Sequence, residues 1–309
     1  MEVFFVTFQR LVTLFLLLVS GCFIRKRGIL DKETTTKLSG MVMRFIVPIL
    51  VINSLNIEFS KELMIKGVLF FFGMIFIHFA ALLIGYLTAK LLKIRADVFG
   101  VWLYICMFSN GTFMGFPVIA YVFGQESLFY GSMALVAFNL VSYSLGAELI
   151  ARCSNQQKQK SSIKTLLFTP SNIAFFIGVI LFLLPVSLPA PITDAMDLIS
   201  SVTTPLSMIV VGSMLTENTI KGLFNDWTAY ACFIMRLGIL PLFNILLLNL
   251  IGFDSYMAGI AVLLTAMPGS AMAPIMAQQY GGDSAWASRV IFLTTVGCIF
   301  TVPLINILL

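Results

Sequence analysis

Apolar residues along this chain come in runs of roughly twenty, each stopped by a short polar interruption, and that rhythm predicts an all-α integral membrane protein. Between the polar stops the predicted spans are 3–24, 36–56, 66–90, 98–122, 127–150, 166–184, 196–215, 226–251, 255–279 and 285–308. A helix needs about 20 residues to cross a hydrocarbon core about 30 Å thick, so ten crossings are expected. Pro185, Pro189 and Pro191 interrupt the chain after the sixth span, and Asn155–Ser162 is its most loop-like stretch.

Composition sharpens the picture. The 309 residues are 59% hydrophobic and only 11% charged, with a mean hydropathy of +1.01. Soluble chains are nearer half apolar and a quarter charged. Lipid is therefore the solvent, and no polar stretch is long enough for a separate soluble domain. Met1–Phe8 carries Glu2 and no base, while Arg25, Lys26 and Arg27 follow the first apolar run. That order is the reverse of a cleaved signal, and predicts a retained span whose C-terminal end is cytoplasmic.

Charge then sets the orientation. With the N-terminus outside, the inner loops hold Arg25, Lys26, Arg27, Lys32, Lys37, Lys90, Lys93, Arg95, Arg152, Lys158, Lys160, Lys164, Lys221 and Arg289. The outer segments hold Arg10, Lys61 and Lys66. The positive-inside rule decides for this arrangement, with both termini extracytoplasmic in a cell membrane. No basic, aromatic-interleaved surface suggests nucleic acid. Cys22, Cys106, Cys153, Cys232 and Cys298 lie scattered, without metal-ligand or disulfide spacing, so they are expected to be small buried hydrophobes. No cofactor or metal is implied.

The chain contains an internal repeat. Pro117-Val-Ile-Ala120-Tyr-Val-Phe123-Gly124-Gln-Glu126-Ser127 matches Pro274-Ile-Met-Ala277-Gln-Gln-Tyr280-Gly281-Gly-Asp283-Ser284 in pattern, at an offset of 157 residues. The same offset pairs Asp97 with Asp254, Pro48 with Pro205 and Gly21 with Gly178. Five spans per copy is an odd number, so the second copy enters the membrane from the opposite side. Inverted repeats are common in secondary transporters, which bind substrate near the midplane between the halves. The division predicts a first repeat over 1–151, a cytoplasmic linker over 152–165 and a second repeat over 166–309.

The fourth span of each half is interrupted. The first interruption holds Asn110, Gly111, Thr112, Gly115 and Pro117, and the second Met267, Pro268, Gly269, Ser270 and Pro274. Proline removes a backbone donor and clashes with the carbonyl four residues back, while glycine adds backbone freedom. Such breaks either shape helix packing as simple kinks or open backbone that lines a cavity. In the second case two half-helix N-termini converge on the midplane, where free amides and positive dipoles suit an anion. Asn110, Thr112 and Ser270 would add side-chain hydrogen bonds.

Two ionisable residues lie at membrane depth, where charge is a functional hypothesis by default. Arg236 is either a counter-charge for substrate or a clamp on the carbonyls of a broken helix. His78, midway along the third span, is either a proton carrier or a neutral packing histidine. Arg44 lies nearer the cytoplasmic end and is expected to snorkel. No Asp or Glu lies near either break, which favours uniport or proton coupling over sodium coupling.

These residues resemble the auxin efflux carrier family of membrane transporters, in its prokaryotic type. The likeness is carried by Arg44-Phe-Ile-Val-Pro48-Ile-Leu, by Asn110 to Pro117, by Pro205 to Leu215, and by Ala266-Met-Pro268 followed by Pro274 and Ala277-Gln-Gln-Tyr280. The resemblance implies a crossover fold similar to sodium/proton antiporters and bile-acid symporters, with crossing fourth and ninth helices. It implies a scaffold from helices 1, 2, 6 and 7, through which a homodimer would form, and a transport unit from helices 3–5 and 8–10 that moves like an elevator. It further implies a small organic carboxylate as cargo, auxin-like or malate- or malonate-like, with Asn110 in contact. The long cytoplasmic loop of plant members is missing. A sodium-coupled bile-acid-type symporter and a non-transporting sensor of the same fold are the alternatives. An intramembrane enzyme is disfavoured, because one histidine and no mid-membrane acid make no catalytic cluster.

Overall fold

A computed structural model describes residues 2–153, 168–184, 188–216 and 226–309. Most of the predicted linker, with Lys158, Lys160 and Lys164, lies outside them, as do Pro185, Lys221 and the side chains of Arg10 and Cys153. The described chain is all-helical. In order the helices are α1 (Glu2–Lys26), α2 (Lys32–Leu55), α3 (Lys61–Leu91), α4 (Ala96–Met107), α5 (Gly111–Phe123), α6 (Ser127–Arg152), α7 (Pro170–Leu183), α8 (Ala190–Leu215), α9 (Trp227–Leu250) and α10 (Ser255–Ala266). They end with α11 (Ala273–Tyr280) and α12 (Ser284–Ile307).

Six of these, α2, α3, α6, α8, α9 and α12, are long and apolar enough to cross a membrane. Their outer faces carry Phe72, Leu83, Leu246 and Phe300, all exposed, which only a lipid environment accommodates. Arg44 is likewise exposed. The predicted fourth span is two helices, α4 and α5, and the predicted ninth is α10 and α11.

Local chemistry explains where helices start. Asp31, Ser60, Thr169, Asp226, Asp254 and Asp283 each accept a first-turn amide through the side chain, which satisfies donors that a helix leaves orphaned. Three of the described π-turns precede a proline, and Ser142–Gly146 does not. The π-turns Val42–Ile46, Gly111–Gly115 and Met235–Ile239 each end two residues before a proline, namely Pro48, Pro117 and Pro241. A proline ring cannot fit under the carbonyl four residues back, and a wider turn moves that carbonyl aside. Gly124 and Gly281, partners in the 157-residue offset, both take positive φ, 88° and 84°.

Close helix contacts rely on missing side chains. A Cβ on Gly212 would sit 1.9 Å from the Leu18 carbonyl oxygen, and one on Gly21 would sit 2.2 Å from that of Ile209. Helices α1 and α8 therefore touch backbone to backbone, and the Cys22 thiol bonds the Gly212 carbonyl at 3.1 Å. Gly178 of α7 makes room for the side chain of Leu55 of α2, whose Cδ1 would lie 2.6 Å from an added Cβ. Cys106, Cys232 and Cys298 are buried as expected, whereas Cys22 is half-buried.

Candidate functional site

The predicted fourth and ninth spans are each interrupted midway, where α4 and α10 end. Helix α4 stops at Met107, and Phe108 turns extended. Helix α10 stops at Ala266, and Met267 is extended. The two extended segments pair antiparallel at Ser109 and Gly269. Asn110 N–H donates to the Pro268 carbonyl at 2.8 Å, and Ser270 N–H donates to the Phe108 carbonyl at 3.0 Å. Gly269 N–H reaches the Thr294 hydroxyl of α12 at 3.3 Å. Each break thus supplies the partners that the other's exposed backbone requires at this depth.

Arg236 closes the other side of the pairing. It is 1% exposed and donates to three carbonyls: Nη1 to Cys106 at 2.9 Å, Nη2 to Thr265 at 2.6 Å and Nε to Met267 at 3.2 Å. These carbonyls end α4 and α10. A helix C-terminus carries partial negative charge and unpaired carbonyls, so one guanidinium caps two helices at once. Of the two readings of Arg236, the geometry is that of the clamp. Asn244, two turns further along α9, donates to the Thr265 hydroxyl at 3.0 Å.

The start of α5 faces different surroundings. Asn110 is 4% exposed, and among the described residues its carboxamide has no hydrogen-bond partner. The first amides of α5 have no acceptor within the helix. Thr112, Gly111 and Ser109 line a cavity of about 30 Å³ together with His78 and Phe116. That volume holds a water molecule but no carboxylate cargo. His78 is buried, its Nδ1 lies 2.5 Å from the Met74 carbonyl, and its ring packs 5.2 Å from that of Phe108. Donation from Nδ1 leaves Nε2 as an acceptor.

A second, larger cavity of about 740 Å³ opens between the ends of α2 and α5, the start of α6 and the middle of α8. Pro117 lines this vestibule rather than the break itself. Phe116 lines both cavities and separates them. Among the described residues, Glu58, Glu126 and Asp197 face the vestibule and no Lys, Arg or His does.

Most sequence-predicted residues come together here. Asn110, Gly111, Thr112, Met267, Pro268, Gly269 and Ser270 form the paired breaks, and Gly115 lets α5 abut Leu264, whose Cδ2 would lie 2.8 Å from an added Cβ. Pro274 opens α11, away from the small cavity. Residues not singled out from the sequence include Phe116, Thr265, Thr294 and Asn244. Asn244 carried a signal: it is a polar residue at membrane depth, eight positions after Arg236 and near the same helix face.

Comparison of the sequence with known proteins finds relatives. A family model described as membrane transport protein matches residues 6–306. A protein of Methanocaldococcus jannaschii, called an uncharacterized transporter, is 26% identical over 302 residues, covering 95% of this chain and 96% of the relative. A second uncharacterized transporter, from Methanothermobacter thermautotrophicus, is 25% identical over 311 residues, covering 97% and 98%.

Proposed function

The chain belongs to the membrane transport protein family, the auxin efflux carrier-like transporters, and from that premise we propose that it is a secondary transporter of small organic carboxylate anions. The family is described as membrane transport and the relatives as transporters, and the multi-pass membrane location agrees. The observation that carries the carboxylate reading is the break at Asn110. There buried Asn110, which makes no side-chain cap bond, precedes the first amides of α5, and Arg236 binds the carbonyl of Met267 in the paired break. Helix N-termini of this kind suit anions.

The inverted two-repeat architecture of ten crossings is part of the same proposal, over 1–151 and 166–309 with a linker at 152–165. The matching positive-φ glycines and the mutual pairing of the two breaks support it. The backbone contact of α1 with α8, and the packing of the Leu55 side chain of α2 against Gly178 of α7, support a scaffold of spans 1, 2, 6 and 7, through which a homodimer would form. The remaining spans would move past it as an elevator between a face with both termini outside and the cytoplasm. Phe116 is then the barrier between vestibule and site.

Two substitutions test the reading in proteoliposomes loaded for counterflow with malonate, malate or indole-3-acetate. Asn110→Ala is expected to lower flux at least tenfold with unchanged melting temperature, since a site donor is lost from a water-poor setting. Flux at the level of the parent protein removes Asn110 from the site. Phe116→Ala should join the two cavities, raising access from the vestibule side and the rate of exchange. An unchanged rate shows that Phe116 is only packing.

A further inference from the structure

Hydroxyl side chains in these helices normally satisfy themselves on a carbonyl three or four residues back. Ser54, Thr88, Thr294 and Thr295 all do so. Ser200, Thr203 and Ser207 do not. All three are buried, at 9%, 2% and 0% exposure, and their hydroxyl oxygens have no hydrogen-bond partner. Their spacing, i, i+3 and i+7, puts them on one face of α8. Three orphaned hydroxyls in a row at a helix face require a physical explanation, because buried polar groups are otherwise paired.

Ser200 and Thr203 line the acidic vestibule, and Asp197 lies one turn before Ser200 on the same face. One oxygen of Asp197 accepts from the Asn53 amide at 2.8 Å, which holds the carboxylate against α2 and leaves its other oxygen available. Backbone adds a further oxygen. The α-helix is interrupted at Val202, and Pro205 has no N–H to offer the Ser201 carbonyl four residues back. The stretch therefore concentrates oxygen atoms of three kinds, with one full negative charge and no facing base.

We propose that this segment of α8, at Asp197, Ser200 and Thr203, binds a single monovalent cation that enters through the vestibule. Oxygen ligands select hard cations. Asp197 is the carboxylate on this helix face, Glu58 and Glu126 lie elsewhere on the vestibule wall, and the described residues contain no cluster of three acidic, histidine or cysteine side chains that would suit a divalent ion. The site is distinct from the paired breaks, where no acid is present, and it stands whether or not the cargo is a carboxylate.

The test is thermal unfolding of the purified full-length protein at fixed pH and ionic strength, with no cargo, in sodium, potassium or choline chloride. A saturable rise of a few degrees in sodium or potassium over choline is expected, as for any ligand that binds only the folded state. Asp197→Asn and Ser200→Ala should each remove the rise while melting with the parent in choline. Glu62→Gln, which alters an ion pair with Lys66 outside the cavity, should retain it. Equal melting in all three salts overturns the proposal, as does a rise that survives both Asp197→Asn and Ser200→Ala.

Discussion

Replacing Arg236 by methionine is expected to destabilise the protein by about 3 kcal/mol or more, at roughly 1–3 kcal/mol for each buried carbonyl left without a donor. Methionine keeps much of the volume, so the loss reports hydrogen bonds and charge, not a cavity. Three carbonyls, those of Cys106, Thr265 and Met267, lose their partner together. The ends of α4 and α10 would no longer be tied, and transport should vanish with them. Arg236→Lys should recover only part of the stability, because an ammonium cannot present a planar fork to three acceptors. Thermal unfolding of both variants in one detergent checks the order. A methionine variant that melts with the parent would show that the clamp is incidental.

Gly212→Ala should be nearly as damaging for the opposite reason. The added methyl meets backbone: the Leu18 carbonyl oxygen at 1.9 Å and the Cys22 nitrogen at 3.1 Å. Backbone cannot rotate away as a side chain can, so α1 and α8 must separate. Overpacking typically costs about 1–3 kcal/mol and here separates helices over their length of contact. Gly40→Ala is the matched control, since nothing lies within 4 Å of its added carbon, and it should be neutral or slightly stabilising. Equal melting temperatures for the two alanine variants would show that α1 and α8 do not touch backbone to backbone.

Much of this was legible along the chain, for physical reasons. Span positions follow from apolar runs, and the breaks at Asn110 and Met267 follow from clustered Gly and Pro, because both signals are local. The clamp alternative for Arg236 was open from sequence for the same reason: a buried guanidinium needs acceptors, and a broken helix offers them. What could not be read is which acceptors. Cys106 lies 130 positions from Arg236, and no periodicity links them. Phe116 was one aromatic among 29 phenylalanines, and only its place between two cavities distinguishes it. The orphaned hydroxyls of α8 were equally hidden, since sequence shows a serine but not whether its oxygen has found a neighbour.

The widened turns before Pro48, Pro117 and Pro241 bear on how the chain tolerates changes in its length. A π-turn is a single-residue insertion held inside a helix. Because each residue advances an α-helix by roughly 100°, excising one residue elsewhere swings every later side chain a quarter-turn or more, driving lipid-facing phenylalanines inward. Excision within Val42–Ile46 or Met235–Ile239 instead draws the spare residue out of the coil and leaves the downstream azimuth intact. These turns are slack in the winding, and length variants of the protein should be confined to them and to the loops.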